Sequence, residues 1–69
     1  MEILLNDRPF TLPECDRITA QQLVEIQFPE NQRGIALALG SEILPREEWG
    51  YQVIRPNDKV FIFKATQGG

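Results

Sequence analysis

Histidine is absent and cysteine occurs once, at Cys15, in a chain of 69 residues. A single thiol closes no internal disulfide, and without imidazole the usual metal ligand and the usual general base are both missing. Cys15 lies between Glu14 and Asp16, whose charge disfavours the thiolate a nucleophile needs, so a structural role is expected for it. Basic runs are missing as well: ten acids stand against seven Lys and Arg, a formal net charge of −3. That balance repels phosphate backbones and anionic lipid, so no nucleic acid and no membrane is expected among the partners. Long apolar runs are also lacking, and Met1-Glu2-Ile3-Leu4-Leu5 carries no cationic stretch. Neither a signal peptide nor a membrane span is read, and a cytoplasmic location is expected.

What remains is ordinary for a soluble globular domain, with 42% apolar and 25% charged residues. A domain of this size buries only about 60% of the surface its unfolded chain exposes. Its core is therefore small and leaves no room for a catalytic cleft. The adjacent carboxylates Glu47 and Glu48 fall in a loop without the burial that separates two pKa values, and they read as a solvated surface. No catalytic residue, no metal site and no bound cofactor is expected, and the chain is read as a non-enzyme.

Met1 to Leu5 is strand-like, Asn6-Asp7 is a turn pair that tolerates left-handed backbone, and Pro9-Phe10-Thr11-Leu12 is the returning strand. Thr19 followed three residues later by Gln22 has the spacing of a capping box, so a helix begins there. Ile18 before the cap and Leu23 inside fit a hydrophobic staple, and Ala20, Leu23, Val24 and Gln27 share one face. Pro29 ends that helix. A second hairpin follows, Ile35 to Leu39 and Glu42-Ile43-Leu44, turned at Gly40-Ser41. Pro45 to Tyr51 forms a crossing loop anchored in the core by Trp49. After the turn Pro56-Asn57-Asp58, the alternating segment Lys59 to Lys64 is the last strand. The order is β-β-α-β-β-β.

One helix covers one face of a sheet, so the last strand must show alternate residues to the other side. With Val60 and Ile62 inward, Phe61 and Phe63 face out just before the sequence closes on Gly68-Gly69. Which face of Ile35 to Leu39 turns inward is left open, since Ile35, Leu37 and Leu39 oppose only alanines. A backbone without Cβ atoms can thread a narrow channel in another protein and deliver its terminal carboxylate to chemistry done there.

This order of elements and the diglycine end resemble the β-grasp sulfur carriers, and the chain is identified as a suspected member of the ThiS family of thiamin thiazole biosynthesis. The residues that carry the resemblance are Ile3-Leu4, Asn6-Asp7, Ala36-Leu37-Ala38-Leu39, Pro45-Arg46-Glu47 with Trp49, Asp58 and Gly68-Gly69. Gly40 and Asn57 depart from the family pattern but stay among residues that accept positive φ, and the stretch between helix and Gly34 is somewhat longer than usual.

The resemblance implies an α+β ubiquitin-like β-grasp over residues 1–64, with a mixed sheet on one helix, and a flexible Gly-Gly tail over 65–69. It further implies that an E1-like, ThiF-like adenylating enzyme activates the Gly69 carboxylate with ATP and Mg. A persulfide sulfur donor then converts it to a thiocarboxylate, which a ThiG-like thiazole synthase consumes. Gly69 would carry the sulfur; Gly68, Gln67 and Thr66 would thread into the partners; Phe61, Phe63 and Arg46 would dock, and the carrier would be a monomer on its own. The alternatives are the small subunit of molybdopterin synthase, whose tail usually carries prolines that Lys64-Ala65-Thr66-Gln67 lacks, and a ubiquitin-like modifier or docking module.

Overall fold

The computed structural model describes residues 1–65. The elements in chain order are β1 (Glu2–Leu5), β2 (Arg8–Thr11), β3 (Ile18–Thr19), α1 (Ala20–Gln27), β4 (Ile35–Leu39), β5 (Glu42–Leu44), a 3₁₀ turn (Arg46–Glu48), β6 (Val53–Ile54) and β7 (Lys59–Lys64). The five longer strands form one mixed sheet in the order β2-β1-β7-β4-β5. The central pair, β1 and β7, runs parallel, and every other pairing in that sheet is antiparallel. This is the expected β-β-α-β-β-β grasp.

Local chemistry explains the reversals. Asn6 and Asp7 take φ values of 52° and 66°, as a two-residue hairpin turn with both central residues left-handed requires. The β4–β5 turn uses Gly40 at φ 65°, where a side chain would be strained. The capping box at the head of α1 forms as its spacing implies. Gln22 N–H donates to Thr19 Oγ1 at 3.1 Å, and Thr19 N–H donates to Gln22 Oε1 at 2.9 Å. Two further amides of the first turn reach across to the crossing loop, Ala20 N–H to Gln52 O and Gln21 N–H to Trp49 O. The helix head is thus fully satisfied, and Phe28, before Pro29, closes the other end.

The sequence reading missed one feature. β3 and β6 pair antiparallel as a separate two-residue ribbon, Ile18 opposite Ile54 and Thr19 opposite Val53. This ribbon ties the start of the helix to the far end of the crossing loop.

The core lies between α1 and the inner sheet face. Ala20, Leu23 and Val24 from the helix meet Ile3, Leu37, Leu44, Val60 and Ile62 from the strands. Trp49 is 1% exposed and closes one end, its indole N–H donating to Leu44 O at 3.0 Å. The orientation of β4 is settled by register: Leu37 stands opposite Ile62 and is buried, so Ala36 and Ala38 face out. Among the described residues, no helix is long and apolar enough to cross a membrane.

Candidate functional site

The outer sheet face leaves large apolar side chains uncovered, as do Ile26 on α1 and Tyr51 in the crossing loop. Alternation along β7 turns Val60 and Ile62 inward and sends Phe61 and Phe63 outward. The two rings stack along the strand with centroids 6.3 Å apart and planes 6° from parallel. Phe63 is 58% exposed. Next to them β4 offers only small side chains, Ala38 opposite Phe61 and Ala36 opposite Phe63. Ile43 of β5, opposite Ala38, extends the face and is 74% exposed. Two aromatic rings beside an alanine floor, flanked by an isoleucine, make an apolar patch on this face.

This face runs to the C-terminal end of β7. Beyond Lys64 the Ala65 N–H still donates to Gly34 O at 2.8 Å. Gly34 has φ +71°, and a Cβ there would sit 3.3 Å from the Ala65 carbonyl oxygen. The Lys64 ammonium lies 5.6 Å from the centre of the Phe28 ring. A cavity of about 230 Å³ adjoins this point, lined by Gln27 to Asn31 and Lys64. The residues read as threading and sulfur-bearing, Thr66, Gln67, Gly68 and Gly69, lie outside the described residues.

The structure brings Phe61 and Phe63 together but leaves Arg46 apart from them. The Arg46 guanidinium lies 5.4 Å from the Trp49 ring and donates to Gln32 O at 3.3 Å. Gln32 is itself tied to the helix, donating to Phe28 O and accepting from Gln21. Arg46 therefore sits on the helix side of the sheet and braces the long connection after α1. The sequence reading did not name Ile43, Ala36 and Ala38 as part of the outer face. The signal for the two alanines was the β4 alternation, which carries no direction until β4 is paired with β7; Ile43 follows only from the β4–β5 register.

Among the described residues no side chain set for acid–base work is buried, since the buried residues are all apolar. No group of three or more His, Cys, Asp or Glu comes together as a metal site among them. The Cys15 thiol donates to Arg17 O at 3.2 Å in a loop.

Comparison with known proteins adds to this geometry. A family model described as the ThiS family matches residues 3–69. The "Sulfur carrier protein ThiS" of Escherichia coli (strain K12) is 33% identical over 69 residues, covering all of both chains. Among solved structures, the crystal structure of the thiamine biosynthesis protein ThiS from Geobacter metallireducens superimposes with a TM-score of 0.86 at 20% identity, again over all of both chains. An NMR solution structure of a thiamine biosynthesis protein from the same organism gives 0.84 at 20% identity, over all of this chain and 88% of the other. At that identity the two structures establish the shared fold.

Proposed function

The chain belongs to the ThiS family, and from that premise we propose that it is a sulfur carrier of thiamin biosynthesis, a protein co-substrate rather than a catalyst. The observation that carries this reading is the end-to-end match, at 33% identity, to a sulfur carrier of the same span. The fold lends support, because its open aromatic face and the arm exit lie on the same strand.

Gly69 is the residue that bears the sulfur. An α-carboxylate is ionised near neutral pH, repels nucleophiles and has no good leaving group, so it must be activated. In a ThiF-like adenylating partner, which holds the ATP and Mg, a Gly69 carboxylate oxygen attacks the α-phosphorus of ATP and pyrophosphate leaves. The terminal sulfur of a donor persulfide attacks the acyl carbon of the adenylate, and AMP departs with the oxygen. A thiol then cleaves the sulfur–sulfur bond of the acyl disulfide, leaving the thiocarboxylate on Gly69 and a disulfide behind. A ThiG-like thiazole synthase takes the sulfur into the thiazole ring and returns the carboxylate.

Within this cycle the chain presents and the partners react. Thr66, Gln67 and Gly68 enter the partner's channel, where glycine at the last two positions removes the side chains that would obstruct it. Ordering such an arm costs conformational entropy, which docking of a rigid surface offsets. Phe61 and Phe63 supply that surface, with Ile43 beside them. Arg46, on the helix side of the sheet and apart from these rings, acts by bracing the connection after α1.

The test is intact-mass measurement of the chain after incubation with the adenylating enzyme, Mg-ATP and a persulfide donor. The expected result is replacement of one oxygen by one sulfur in the wild type and none in Gly69→Val, whose fold is unchanged. Normal loading of Gly69→Val, or no loading of the wild type, refutes the reading.

A further inference from the structure

After Leu5 the β1 backbone turns away into the hairpin, whereas its parallel neighbour β7 runs on to Lys64. The β1-facing edge of β7 therefore loses its partner halfway along the strand. The Asn6 side chain fills that gap. Its Nδ2 donates to the Ile62 carbonyl at 3.2 Å, and its Oδ1 accepts from the Ile62 N–H at 2.9 Å. The main-chain N–H of Asn6 already donates to Val60 O at 2.9 Å, so one residue supplies two successive rungs to β7. A carboxamide has the donor and acceptor of a peptide group side by side, which lets it stand in for the strand residue that is missing. On the other edge of β7, Ala65 N–H is held by Gly34 O.

We infer that Asn6 is a positioning residue whose side chain acts as an added rung of the sheet, fixing Ile62 and with it the flanking Phe61 and Phe63 rings and the root of the arm. The part that concerns presentation to partners rests on the sulfur-carrier reading; the rung itself does not. A residue placed at Asn6 only to make the turn would need nothing beyond tolerance of its φ of 52°. Glycine meets that need better than asparagine. Asn6→Gly thus keeps the turn and removes only the rung, which separates the two roles.

Two measurements on Asn6→Gly test the proposal. Amide hydrogen exchange of the isolated protein is expected to quicken at Ile62 by roughly three- to tenfold, the range for loss of one intramolecular hydrogen bond, while Leu23 and Val24 in the helix change little. Adenylation by the partner enzyme, followed by pyrophosphate exchange at a temperature where the variant is fully folded, is expected to lose kcat/KM by a similar factor. Asn6→Asp, which keeps the acceptor for the Ile62 N–H and loses the donor, is expected to fall between. Unchanged Ile62 exchange in Asn6→Gly overturns the rung. Faster exchange with unchanged kcat/KM overturns its role in presentation. A wild-type chain that is never adenylated overturns the carrier reading and that role together, and the exchange result still decides the rung.

Discussion

The two faces of the one sheet are built from the same strands and nearly the same residue types, yet only one is closed. On β7, Val60 and Ile62 are buried under the helix while, one residue away on the other face, Phe61 is half-buried and Phe63 exposed. On β4, Leu37 is buried and Ala36 and Ala38 make a flat floor on the other side. Stability alone would make the uncovered face of a half-buried antiparallel pair polar, alternating with the apolar one. Here it carries two stacked rings and a largely exposed isoleucine. The difference teaches that the inner face makes the fold, while the outer face is free for the partner contact that the sulfur-carrier reading proposes.

Substitutions on neighbouring residues of β7 can break this division. Ile62→Ala removes an inner side chain from a small core and is expected to cost about 2–5 kcal/mol, read as a fall in the denaturant midpoint. With a marginal domain this is enough to unfold a large fraction of it. Phe63→Ala is expected to leave stability within about 0.5 kcal/mol while weakening binding to the adenylating enzyme by about 2 kcal/mol, some thirtyfold in Kd by calorimetry. Should Phe63→Ala unfold the protein as Ile62→Ala does, the two faces are not distinct in role. The smallest effect sharpens the contrast from the helix side. Thr19→Ala removes one half of the capping box and is expected to lower stability by about 1 kcal/mol, with partner affinity of the folded fraction unchanged.

Much of this division could be read from the residues. The helix start was legible because Thr19 and Gln22 have a local partnership whose spacing is visible in the chain, and the last strand because Lys59 to Lys64 alternates cleanly. The β3–β6 ribbon escaped because two residues on each side hold no period to detect. The direction of β4 was open for a related reason: alternation gives two faces but not which one meets the helix, and the register with β7 decides it. Phe61 and Phe63 were placed together by strand geometry alone. Arg46 was grouped with them through the family resemblance, and its contacts with Trp49 and Gln32 depend on how the 3₁₀ turn folds back, which no local pattern encodes. The bridge from Asn6 to Ile62 spans 56 residues and is equally invisible until the sheet is assembled.

On the sulfur-carrier reading, the chain is loaded with sulfur and gives it up. The most direct measurement starts from the purified thiocarboxylate form, incubated with a ThiG-like thiazole synthase and its other substrates, and follows chain mass and thiazole together. The expected result is that each thiazole formed returns one chain to its carboxylate mass, and that the carboxylate form alone supports no product. Thiazole appearing at the same rate without the loaded chain, or a loaded chain whose mass never changes, would contradict it.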